Sequence, residues 1–313
     1  MATTPLLILG FNRPDHVERL IESLRPARPR HVILSVDGPR AGHPGDGPLV
    51  SRTQAAVDRI DWDCRVETIF RSENLGLRTA VADAVTRTVG NHGRAIVVED
   101  DVVVGPNFLP YMSHALDKYG SCTEVAHING YNVVPPGVLG GRQGDRYTRY
   151  IESFAWATWD RAWNAYDPSL DWALRVSLET LREITGSHAA ALRWHRTFRD
   201  ASDELMNTWA YRWLATIWSR DWKIVSPSGN LVSYTGWNEG THTLRRPKWS
   251  EIPVASELME LDSGEWSAPP AEDTAADRWL GSRVFGESYR GVAEGILVSW
   301  LLRARQAHRR RGN

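Results

Sequence analysis

The chain predicts an α/β protein built on a doubly wound, mixed sheet, followed by a mainly helical, Trp-rich C-terminal part. Two observations carry this. Short continuous apolar runs alternate with helical stripes over the first hundred residues, which is the βαβα rhythm of a largely parallel sheet. After residue 130 that rhythm gives way to a Gly-rich segment and then to long stretches dense in tryptophan.

The elements follow in order. PLLILGF (5–11) is apolar throughout, as expected of a strand covered on both faces. Pro14 suits a first helical turn, and Val17, Leu20, Ile21 and Leu24 follow at helical spacing. HVILSV (31–36) reads as the second strand, ending at the turn signal Asp37-Gly38-Pro39. Residues 40–48, rich in Gly and Pro, predict a mobile loop. VETIF (66–70) reads as a third strand, and Val81, Ala84, Val85 and Val89 mark another helix. AIVV (95–98) is the fourth strand and runs directly into Glu99-Asp100-Asp101. Residues 135–146 predict a Gly-rich loop, and residues 223–234 a strand leading to GWNEGTHT (236–243).

With 313 residues, 42% apolar and 24% charged, the chain has ordinary globular composition and length for one large α/β domain or two lobes sharing a cleft. A formal net charge of -1 gives no global field to recruit nucleic acid. Two cysteines, Cys64 and Cys122, are too few for a disulfide framework and fit a reducing compartment. The N-terminal apolar run has no basic segment before it and is too short to span a bilayer, so a cytoplasmic protein is expected. The 15 tryptophans suit either sugar-stacking faces or a packed core.

Three consecutive carboxylates at the end of an apolar strand sit where ligands bind in parallel α/β sheets, outside the carboxyl ends of the strands. Packed together they repel one another and lose hydration. A divalent cation removes that penalty, and hard carboxylate oxygens select Mn²⁺ or Mg²⁺. The expectation is that Glu99, Asp100 and Asp101 converge on such an ion.

The stretch RAIVVEDDVVVGPNFLPYM (94–112) resembles the nucleotide-sugar motif of GT-A (Rossmann-like) glycosyltransferases, most closely the variant in N-acetylglucosaminyltransferase I. The resemblance implies a sugar transferred from a nucleoside-diphosphate donor, uridine diphosphate by family expectation, to a small-molecule or glycan acceptor, with inversion favoured. It also implies that Asp101 coordinates the metal, Asp100 faces the ribose and Glu99 the donor sugar. By the same likeness Arg13 contacts base and phosphate, Asp37 the nucleobase or ribose, and Arg71 and Asn74, in RSENLGLR (71–78), the nucleotide. Asp37 and Asn74 also read as simple turn residues, and Arg13 as a charge neutralising the next strand's end. Residues 1–130 would then form the nucleotide-sugar half, 131–245 the acceptor and catalytic half of the same cleft, and 246–313 a C-terminal extension.

ESFAWATWDRAW (152–163) resembles the segment lining the sugar side of such clefts, and Trp156, Trp159 and Trp163 fall on one face if it is helical. Trp156 is placed nearest the sugar. An inverting transfer needs a carboxylate base within reach of the acceptor hydroxyl. The family's acidic pair aligns with Asn207 and Thr208, a departure that leaves Asp203, Glu204 and Asp160 as candidates by proximity. The segment 236–243 looks like a closing loop over the diphosphate, with His242 a candidate metal ligand or phosphate contact. The C-terminal GVAEGILVSWLLRARQAHRRR (291–311) predicts a helix docked on the body through its apolar stripe, or a weak peripheral membrane contact through its basic end.

Two other classes share parts of this pattern. A sugar nucleotidyltransferase carries similar carboxylates but holds a triphosphate with a Gly-rich basic loop after its first strand, which GFNRPDH lacks. A non-catalytic carbohydrate-binding protein explains the tryptophans and has no use for a nucleotide cleft. A phosphatase with an Asp nucleophile directly after strand one is excluded, because Phe11-Asn12 stand there.

Overall fold

The computed structural model describes residues 3–141, 144–237, 253–254 and 272–311. Strand β1 is Leu6–Gly10, followed by helix α1 (Pro14–Leu24), β2 (His31–Val36), α2 (Asp46–Ala55), β3 (Arg65–Phe70) and α3 (Leu77–His92). Then come β4 (Arg94–Glu99), β5 (Val102–Val104), α4 (Phe108–Lys118), β6 (Val125–Asn129), α5 (Pro136–Leu139), β7 (Asp145–Thr148) and β8 (Ala155–Trp159). A helical run follows: α6 (Asp160–Trp163), α7 (Asp171–Arg175), α8 (Leu178–Thr185), α9 (His188–Ser202) and α10 (Ala210–Ser219). Strands β9 (Lys223–Pro227) and β10 (Val232–Tyr234) precede α11 (Thr274–Arg283) and α12 (Tyr289–Arg311).

Eight strands form one sheet in the order β3-β2-β1-β4-β8-β6-β9-β7. β1, β2, β3 and β4 are mutually parallel; β8 is antiparallel to both β4 and β6, β9 is parallel to β6, and β7 is antiparallel to β9. This is the doubly wound, mixed α/β sheet that the sequence predicts, followed by the expected helical part. The first four strands match the apolar runs to within a residue. β1, β2 and β4 are buried on both faces, which is why they read as unbroken apolar segments. β3 lies at the sheet edge and is partly exposed along its length, in keeping with the charges of Arg65 and Glu67. The sheet runs through residue 130, so the expected halves share it.

Three local expectations change. Helix α2 already starts at Asp46, where its carboxylate accepts from Asn12 Nδ2 (2.9 Å) and the Arg40 guanidinium (2.7 and 2.9 Å), shortening the predicted loop. The Gly-rich segment 135–146 includes the helical turn α5 and the start of β7. Trp156 and Trp159 lie on strand β8 rather than on a helix with Trp163, which belongs to the short α6. β8 is buried on both faces between β4 and β6, so no period-two polarity marks it as a strand.

The tryptophans named above build the core. Trp156 stacks on Trp209 (centroids 4.9 Å) and packs against Trp163, while Trp194 meets Trp218 edge to face. Helix α12 forms as expected and lies against α9, but by its other face. Ser299 is buried and accepts from Arg196 Nε (3.1 Å), whereas Ile296, Leu297, Trp300 and Leu301 point outward. A Cβ on Gly295 would come within 2.8 Å of Arg193 Nη1, the far end of a flexible side chain.

Candidate active site

The carboxyl ends of β1, β2 and β4 present their following loops at one edge of the sheet. Glu99 closes β4, Asp100 and Asp101 form a turn, and β5 turns away to pair antiparallel with β10. That pairing brings residues 232–237 over the triplet. The Asp101 carbonyl accepts from Thr235 N (2.7 Å) and Thr235 Oγ1 (2.9 Å). Gly236 then passes so close that a Cβ there would sit 2.7 Å from Asp101 Oδ2, a reason for glycine at this position.

The three carboxyls are drawn out of water and meet different partners. The Trp209 indole bonds to Glu99, the Phe11 backbone bonds to Asp100, and Tyr234 bonds to Asp101. Among the described residues, the group of three metal-ligating side chains gathered within 4.8 Å is His31, Glu67 and His92. The His31, Glu67 and His92 group lies at the opposite end of the strands, and Arg65 Nη2 (2.9 Å) already neutralises its carboxylate.

Electrostatically the triplet is under-compensated. Arg13 Nη1 lies 3.5 Å from Asp101 and 4.0 Å from Asp100, with their side chains only 10% and 14% exposed. Burial, and then the neighbouring Asp101 and Asp100, push the Glu99 carboxyl well above its ordinary range. Burial, and then Asp101, raise Asp100 to about 7. Burial also raises Asp101, against the opposing effects of Tyr234, Arg13 and His16. Asp101 Oδ1 is buried and has no hydrogen-bond partner among the described residues. An orphaned carboxylate oxygen beside two further acids suits a hard divalent cation, so these residues fit Mn²⁺ or Mg²⁺ with Asp101 as the ligand.

The remaining expected donor contacts distribute differently. Asp37 is buried, and its oxygens accept from Gly38 N, Leu75 N, Gly76 N and Asn74 Nδ2, each at 3.0 Å. Four donors fill a carboxylate's acceptor sites, so Asp37 and Asn74 lock two loops together instead of reaching a nucleotide. Arg71 is also turned inward, donating to Ser35 Oγ (3.0 Å), Ala80 O (3.2 Å) and Asp83 Oδ2 (2.6 Å). Trp156 is fully buried beneath Trp209 and offers no open face to a sugar.

Of the candidate bases, Asp160 is excluded by topology. Its N–H bonds to Gly93 O (2.9 Å), six residues before Glu99 on a strand rising about 3.3 Å per residue, roughly 20 Å away. Asp203 is exposed and pairs with Arg303 of α12 (2.6 Å). Glu204 pairs with Arg78 through both oxygens (2.6 and 2.7 Å), and its φ of 58° is a left-handed conformation uncommon outside glycine. That loop is a wall of the site, because Asn207 Nδ2 lies 3.5 Å from where a Gly76 Cβ would be and Trp209 reaches Glu99. His242 lies outside the described residues.

Trp209, Tyr234 and Glu152 were not singled out by the sequence. Glu152 N bonds to Asn129 Oδ1 (2.8 Å) at the same sheet edge. Burial pushes its carboxyl up to about 8, against Arg146, and its Oε1 has no hydrogen-bond partner among the described residues. A raised folded value means that Glu152 supports stability fully below its ordinary 4.5 and loses that contribution as pH rises through about 8. Glu152→Gln is therefore expected to flatten the fall in unfolding free energy between about pH 5 and 9, a difference of up to about 5 kcal/mol. Urea unfolding across that range measures it, and an unaltered slope would refute the assignment.

A cavity of about 400 Å³ lined by Arg149, Trp218, Trp222, Lys223 and Asp277 lies by the amino end of β9, away from this site. Among the described residues no helix is long and apolar enough to cross a membrane.

No protein-family model matches the chain, and no curated protein matches it. Among solved structures it is similar to HddC from Yersinia pseudotuberculosis, at 14% identity over 56% of this chain and 87% of that one, with a TM-score of 0.34. It is similar to the mannosyltransferase PcManGT from Pyrobaculum calidifontis in complex with GDP-Man and Mn²⁺, at 11% identity over 69% and 74%, with a TM-score of 0.37. A third is mannose-1-phosphate geranyltransferase from Thermus thermophilus, at 10% identity over 72% and 73%, with a TM-score of 0.31. The fold assignment rests on the strand order and directions given above.

Proposed function

We propose that the chain is a metal-dependent glycosyltransferase that moves a sugar from a nucleoside-diphosphate sugar to an acceptor hydroxyl. The observation that carries this reading is the buried Asp101 Oδ1, unpartnered among the described residues, at a strand end where Arg13 is the guanidinium beside Asp100 and Asp101. When bound, the ion supplies charge neutralisation for a departing diphosphate. Arg13 is placed to meet a phosphate beside it. Asp100, bonded to the Phe11 backbone, is oriented toward the loop after β1, where a ribose would lie. Glu99, held by the Trp209 indole, would meet the donor-sugar hydroxyls.

Glu204 is the proposed base for an inverting transfer. Of the candidate carboxylates it alone stands in the wall of the site without being turned to α12 or to the far end of the sheet. Its contact with Arg78 ties the 203–208 loop to the start of α3 at the site wall.

The reading is tested by thermal unfolding with nucleoside diphosphates, uridine diphosphate first, with and without Mn²⁺. A ligand that binds only the native state is expected to raise Tm by about 5 °C at saturation, and only with metal. No shift with any nucleoside diphosphate would leave the carbohydrate-binding alternative in its place. Product formation from a nucleoside triphosphate and a sugar 1-phosphate, without transfer to an acceptor, would favour the nucleotidyltransferase.

A further inference from the structure

Helix α12 turns Ser299 and Gly295 toward the protein and several large apolar residues outward. Toward α9, Ser299 bonds to Arg196 (3.1 Å) and to Asp200, Arg303 pairs with Asp203 (2.6 Å), and Gly295 lies against Arg193 and Arg196. Outward, Tyr289, Ile296, Leu297, Trp300 and Leu301 recur at helical spacing along one stripe, Leu297 at 58% and Trp300 at 65% exposure. Half of the exposed large apolar side chains among the described residues lie on this one helix. A contiguous stripe of that size marks an interaction surface.

We propose that α12 lies in the plane of an anionic bilayer surface, with this stripe in the acyl boundary and the basic end of the helix beside the lipid phosphates. Charge selects the occupant. Residues 289–311 contain six arginines against one acid, Glu294, and four of the six (Arg305, Arg309, Arg310 and Arg311) fall in the last two turns. The remainder of the chain is net acidic, since the whole carries -1. An exposed apolar stripe bearing Trp, followed by clustered Arg, suits a bilayer surface, and anionic headgroups add attraction at each arginine near them. A second copy meeting the same stripe would bring two sets of six arginines together with only two glutamates to offset them. The helix does not cross the bilayer. The inference is independent of the proposed chemistry.

Co-sedimentation of the full chain with vesicles tests it. Binding to phosphatidylcholine vesicles carrying about 30% phosphatidylglycerol is expected to exceed binding to pure phosphatidylcholine at least about tenfold, and to weaken in high salt. The double variant Leu297→Ser, Trp300→Ser removes exposed side chains only, so its Tm should stay at the parent value while its vesicle binding is lost. Binding that is absent, indifferent to lipid charge or unchanged in the double variant overturns the proposal. So does a stable dimer in solution that the double variant dissociates, which would assign the stripe to a second copy.

Discussion

Asp101→Asn is expected to reduce metal-dependent donor turnover by at least about 10²–10³-fold while leaving the fold intact. The substitution keeps the size of the side chain and removes the charge that holds a hard cation. It also removes one of three mutually repelling buried acids, so Tm without metal should hold steady or rise. The pairing of lost turnover with retained Tm separates a ligand from a structural residue. Turnover within a few-fold of the parent would remove Asp101 from the mechanism.

Trp209→Ala is expected to lower the unfolding free energy by about 3–5 kcal/mol, measured by urea unfolding, because a large buried ring leaves a cavity its neighbours cannot fill. Trp209 stacks on Trp156 (4.9 Å) and meets Trp163 edge to face (6.2 Å), so both lose a partner. Trp209→Phe isolates the other role. It keeps most of the packing but deletes the indole N–H that bonds to Glu99, leaving a buried carboxyl with less support. Reduced activity with a smaller stability loss is expected in that variant. Equal stability losses in the two variants would show that packing alone accounts for the residue.

The sheet was legible where its strands are covered on both faces, because LLILG, HVILSV and RAIVVE then have no alternative but unbroken apolarity. The same covering hid β8: in AWATW, tryptophans three apart mimic a helical face although strand geometry sends them to opposite sides. That single misreading moved Asp160 to the wrong end of the molecule. The location of the acidic triplet was also legible, since a strand end is local information. The side-chain directions were not. Asp37 and Arg71 are consumed by partners that only the fold brings near, Asn74 and Asp83 respectively. The contact between Arg78 and Glu204 spans 126 residues, and periodicity carries no trace of it. For α12, spacing reveals that an apolar stripe exists but not which way it faces.

The most direct test of the site is the binding of Mn²⁺ itself, followed by the loss of the free-ion electron paramagnetic resonance signal on adding protein and a nucleoside diphosphate. The signal should fall with the parent chain and nucleotide together, and Asp101→Asn should leave it at the level of nucleotide alone. Equal depletion by the parent and by Asp101→Asn, or none by the parent with any nucleoside diphosphate, would contradict the account.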